Sequence, residues 1–81
     1  MTDSAIAARM LNALEAAADR EAGQKTALVS VTIDMLKRAD AGSINVGVTR
    51  KTKSLVFMSA DFVSDAGARI ATANSVHKLS Q

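Results

Sequence analysis

A chain of 81 residues without cysteine has room for one small core and cannot staple it with disulfides or build a thiolate metal site. Ten basic and eight acidic side chains leave a net charge of +2. With no tryptophan or tyrosine and only Phe57 and Phe62, there is no aromatic set for stacking bases, so general nucleic-acid binding is a poor fit. No apolar run approaches the ~20 residues of a membrane helix, and "MTDSAIAARM" lacks the basic start and long apolar core of a signal peptide, so a soluble, cytoplasmic protein is expected.

Residues 4–22 carry Ile6, Met10, Leu14 and Ala17 at spacings of four and three, the pattern of an amphipathic helix. Thr2, Asp3 and Ser4 offer oxygens to cap its start, and Gly23 suits the left-handed residue just past its end. Arg9, Ala16 and Arg20 project to the far, solvent side. Glu15 falls on the flank of the apolar stripe, in line with Ala8, Asn12 and Asp19.

After Gly23 the period drops to two. Over residues 27–37, Val29, Val31, Ile33 and Met35 point one way and Ser30, Thr32 and Asp34 the other, which describes a half-buried strand. "RADAG" makes a turn into a second strand at 43–50, where Ile44, Val46 and Val48 alternate with polar residues and glycine. "RKTK" closes a hairpin into a third strand at 54–64, apolar on both faces like an interior strand covered on each side. "DAG" turns the chain into a fourth strand at 68–78. The expectation is one α+β domain over residues 1–81, a helix followed by a four-strand antiparallel meander. Unpaired sheet edges are a liability, and edge pairing of two subunits would remove one.

With this order of elements the chain resembles the hot-dog-fold acyl-CoA thioesterases of the phenylacetic-acid-degradation and 4-hydroxybenzoyl-CoA type. The stretch "VSVTIDMLKRADAGSINVGVTRKTKSLVFMSADFVSDAGARIATANSV" follows their layout, and the likeness covers residues 5 to 79. The family's first strand has no counterpart before the helix. The resemblance implies a homodimer or dimer of dimers that hydrolyses or binds an acyl-CoA thioester at a subunit interface. Coenzyme A enters as part of the substrate, and no separate cofactor is implied.

In that family a His-Gly-Gly stretch precedes, by six residues, an acid that acts as nucleophile or general base. Aligning the acid with Glu15 puts Ile6, Ala7 and Ala8 where His-Gly-Gly stands. The backbone N–H of Ala8 would then polarise the thioester carbonyl, although alanine crowds an approach that glycine leaves open. Asn12 and Asp19, one turn either side, are candidates to orient a water or the acyl carbonyl. A solvated Glu15, paired with Arg9 or Arg20, is the plain alternative. Lys37, Arg38, Arg50, Lys51 and Lys53 are candidates for the phosphates of coenzyme A; an ordinary solubilising turn is the competing reading of the hairpin cluster.

His77, the one histidine, reads as a surface residue at the end of a strand. One histidine and scattered acids give no metal-ligand spacing, and no Ser-His-acid triad is evident. Met10, Met35 and Met58 belong to the core or line an acyl channel. Two functional readings stand: a thioester hydrolase, and a non-catalytic hot-dog module that binds an acyl thioester or only dimerises.

Overall fold

The computed structural model describes residues 2–79, and within them one helix packs on one face of a four-stranded antiparallel sheet. The helix, α1, runs Asp3–Ala22. The Thr2 hydroxyl accepts from the Ala5 N–H at 3.1 Å, and Gly23, at φ 69°, donates back to the carbonyls of Asp19 and Arg20. Both ends are thus closed by the residue types that satisfy orphan helix groups most cheaply. The strands are β1 (Thr26–Met35), β2 (Gly42–Lys51), β3 (Leu55–Ser64) and β4 (Arg69–Leu79).

The strand order β1-β4-β3-β2 corrects the expected meander. Three strands, β2 to β4, are joined by tight hairpins, but β1 lies on the far edge beside β4, from Thr26 opposite Leu79 to Met35 opposite Ala71. Beyond the strand, the N–H groups of Leu36 and Lys37 both donate to the Ile70 carbonyl, extending the seam. A physical reason lies in β4. Its inner face carries Ala71, Ala73, Ser75, His77 and Leu79, all buried, and a strand this enclosed needs a neighbour on each side. Residues such as Asn45, Thr49 and Arg50 on β2 tolerate the other edge.

Ile6, Met10, Leu14, Ala17 and Ala18 of α1 meet Val56, Met58, Ala60 and Phe62 of β3 and the buried residues of β4. Burying this stripe is what holds a 20-residue helix on the sheet. Met10 and Met58 are core residues, while Met35 is only partly buried. On the other face Leu55, Phe57 and Val63 of β3 are half-buried, so the helix covers one face of this strand and not both.

A bulge between Leu28 and Ser30 breaks the alternation expected for β1. The extra residue lifts Val29 out of register with Val31, Ile33 and Met35 and leaves it 57% exposed, while Leu28 takes the place opposite His77.

Gly42 fits where no side chain does: a Cβ built there lies 2.3 Å from the Val63 carbonyl oxygen and 2.8 Å from the Phe62 ring. Because the nearer obstacle is backbone, Gly42→Ala is expected to cost about 1–3 kcal/mol, the range for overpacking a filled site. Thermal melts of the two proteins check this; an unchanged midpoint would show that the β2 edge moves aside freely.

Candidate functional site

At the start of the helix Asp3 forms a cleft of about 190 Å³ with Met35, Leu36, Lys37 and Arg38 from the end of β1. The other basic candidates lie at the opposite end of the sheet, where Arg50 and Lys51 pair with Phe57 and Val56. Each of those two has a local contact. Lys51 Nζ donates to the Glu21 carbonyl at 3.0 Å, capping the negative end of the helix, and the Arg50 guanidinium lies 5.9 Å from the centre of the Phe57 ring. Lys53 is exposed in the turn that Thr52 closes by accepting from the Leu55 N–H. One chain therefore presents two separate basic patches, with Arg38 in one and Arg50, Lys51 and Lys53 in the other.

Ala8, Asn12 and Glu15 are exposed along one flank of α1. Asp19, next on that flank, is a fixed point: its Oδ1 accepts from the Thr26 N–H at 2.8 Å and the Thr26 hydroxyl at 2.7 Å. These donors, the hydroxyl first, hold its carboxyl below the usual range. They also turn the flank toward β1. No hydrogen bond or ion pair reaches Glu15 among the described residues, so it is not tied to Arg9 or Arg20. Ala8 is the sixth residue of the helix, and its N–H falls within the ladder that pairs each amide with the carbonyl four residues back.

His77 corrects the expected surface histidine: it is 1% exposed, on the inner face of β4. Its Nε2 is 2.7 Å from the Ser75 hydroxyl, itself 3% exposed, and its Nδ1 has no hydrogen-bond partner among the described residues. Leaving such an atom buried and unsatisfied costs about 1–3 kcal/mol. Ser75 and His77 have the spacing of a nucleophile and its base, but a substrate carbonyl has no way in to the sealed hydroxyl. Sequence offered one usable signal: His77 shares its parity with Ala71, Ala73, Ser75 and Leu79, the small and apolar residues of the strand.

Burial pushes the His77 imidazole below its ordinary value, against the charges of Glu15 and Asp19, which pull it up. A base with a lowered folded-state pKa takes up fewer protons folded than unfolded, so stability is full above about pH 6.5 and falls as pH drops toward the folded value. Melts between pH 7.5 and 5 are expected to show this decline and His77→Gln to flatten it; an equally steep profile in the variant would assign the dependence elsewhere.

Among the described residues no group of three or more His, Cys, Asp or Glu side chains could hold a metal ion, and no helix is long and apolar enough to cross a membrane.

This arrangement of one helix on a four-strand sheet is a hot-dog-like fold. Solved structures that share it include a thioesterase-superfamily protein (TM-score 0.84, 15% identity) and a Bacillus halodurans protein solved with CoA (TM-score 0.88, 13% identity). A third, from Chromobacterium violaceum, matches with a TM-score of 0.81 at 16% identity. The chain is covered over 99%, 100% and 100% of its length, but it spans only 62%, 56% and 63% of those proteins. No family model matches it, and no curated protein matches it by sequence.

Proposed function

We propose that the chain acts on acyl-CoA thioesters as a cytoplasmic homodimer or dimer of dimers, with Glu15 as the acid that does the chemistry. The supporting observation is an exposed carboxylate on a helix flank, with no hydrogen bond or ion pair among the described residues, in a fold shared with a thioesterase-superfamily protein and with a protein solved with CoA.

In the hydrolytic reading Glu15 takes a proton from a water whose oxygen attacks the thioester carbon. The C–S bond then breaks, and the thiolate of coenzyme A leaves and is protonated. Asn12, one turn earlier, orients the water. Polarising the carbonyl needs a backbone N–H, the role given to Ala8, whose amide the helix would have to release. Ala8 lies roughly 10 Å from Glu15 along the axis, too far for both to touch one carbonyl from the same chain. The two contacts therefore come from different subunits. Arg38, beside the cleft at the helix start, and Arg50, Lys51 and Lys53 at the other end of the sheet hold the phosphates of coenzyme A.

The second reading, a non-catalytic module that binds an acyl thioester or dimerises, is favoured by one observation: the Ala8 amide belongs to the helical ladder. Hydrolysis of short-chain, long-chain and aryl acyl-CoAs, with calorimetric binding of a non-hydrolysable CoA thioether, separates the two. Turnover supports the first and binding without turnover the second. Neither would sink both.

A further inference from the structure

Six of the ten basic side chains gather at one end of the molecule, although they come from five separate places in the chain. Arg20 lies in the last turn of α1, and Lys25 stands just before β1. Arg50 and Lys51 close β2, opposite Phe57 and Val56 near the start of β3, and Lys53 is in the hairpin between the two strands. Lys78, near the end of β4, is paired with both Leu55 and Ala27. Two contacts draw these ends together: the Leu79 N–H donates to the Ser54 carbonyl at 2.9 Å, and Lys51 Nζ donates to the Glu21 carbonyl at 3.0 Å. All six side chains are exposed.

The carboxylates at this end are Asp19 and Glu21, and Asp19 is engaged by the hydroxyl and N–H of Thr26. Glu15 stands roughly 10 Å back from the end of α1. Six cations against two acids make this pole +4; the rest of the chain, with four cations and six acids, carries −2, and together they give the net +2. The molecule is also long, with extents of 40 × 20 × 16 Å, and its strands, roughly 33 Å each, take up the long dimension. The pole is therefore a blunt end with a cross-section of 20 × 16 Å.

We propose that this pole docks on an anionic bilayer surface, end-on and without insertion. A cluster of this size is enough to hold a protein on acidic lipid headgroups, and it needs no membrane-crossing helix. A plane of charge fits the arrangement better than a strand of nucleic acid does. Lys51 shares the inner face with Val56 and Arg50 the outer face with Phe57, while Arg20 stands on the helix and Lys53 in a turn. A strand following one groove reaches few of these, whereas a plane set across the blunt end meets them together. The aromatic ring at this end, Phe57, already has the Arg50 guanidinium over it at 5.9 Å, which takes the place of a stacked base. A use for the docking rests on the acyl-CoA reading: a long-chain thioester held in a bilayer by its acyl chain presents its phosphates in the same plane as the headgroups.

The test is cosedimentation of the full chain with vesicles free of any thioester, made of phosphatidylcholine alone or of an equal mixture with phosphatidylglycerol. The expected result is binding to the mixed vesicles only, lost when salt is raised from about 0.05 M to about 0.5 M. Each cation near such a surface strengthens binding about fivefold, so Lys25→Ala combined with Lys78→Ala should weaken it at least about tenfold. Lys37→Ala combined with Arg69→Ala takes the same charge from the opposite end, far beyond the screening length, and should weaken it by less than about threefold. Binding to neither vesicle, equal binding to both, or equal losses in the two double variants would overturn the proposal. So would a single-stranded oligonucleotide that releases the protein from the vesicles at equal phosphate concentration, which would make nucleic acid the partner. Because no thioester is present, these outcomes stand whether or not the chain hydrolyses one.

Discussion

Phe62→Ala is expected to remove about 3–5 kcal/mol of stability, the cost of emptying a fully buried aromatic site. The ring is 0% exposed, heads the fully buried side chains by volume, and faces the helix from the central strand β3, where Ile44 is its cross-strand partner. Arg9 lies over it, 5.4 Å from the ring centre, so truncation also removes the surface that supports this guanidinium. The cavity has little chance to close, because the neighbouring strand is pinned where Gly42 meets Val63. For 81 residues the whole stability is about 4–12 kcal/mol at the usual per-residue value. The variant should therefore be close to unfolded at 37 °C, with a midpoint down by about 15–30 °C. Urea titrations with an unchanged slope would give the cleanest number. A loss below about 1 kcal/mol would remove Phe62 from the centre of the core.

The other large effect is catalytic. Replacing Glu15 by Gln keeps the size of the side chain and removes the proton acceptor, and loss of a general base typically costs 10²–10⁴ in rate. In the proposed hydrolysis the carboxylate would meet the attacking water and not the bound acyl group, so the expected result is a kcat lowered by at least about a hundredfold with KM little changed. Stability should shift by less than about 0.5 kcal/mol, because the side chain is exposed and makes no hydrogen bond or ion pair among the described residues. Equal turnover in the two proteins would take Glu15 out of the chemistry. A fall in activity matched by a fall in melting temperature would make the effect structural.

What could be read in the sequence follows from the range of the forces involved. Thr2, the Ile6-Met10-Leu14-Ala17 stripe and Gly23 specify the helix through neighbours one turn apart, and alternation specifies strands in the same local way. Strand order is different. It is set by which edges meet, and nothing local in β1 says that its partner is β4 and not β2. The bulge at Val29 escaped for a related reason: a period of two cannot reveal that one residue has dropped out of the count. For the site, the line of Ala8, Asn12, Glu15 and Asp19 was legible from helical periodicity. That Asp19 is held by Thr26, and that the imidazole of His77 is buried, depends on contacts between elements.

The placement of β1 also orders the assembly of the molecule in time. The β2–β3 and β3–β4 hairpins close over a few residues, whereas the nearest β1–β4 pair, Met35 with Ala71, closes roughly 35, at an entropic cost about 2 kcal/mol higher. The three-stranded hairpin array can thus gather first, and the helix with its trailing strand has the most to gain by docking afterwards as one piece. Substitutions along the Ile33–Ala73 seam should accordingly speed unfolding more than they slow folding, giving low φ-values, whereas those between Val46 and Ala60 should slow folding.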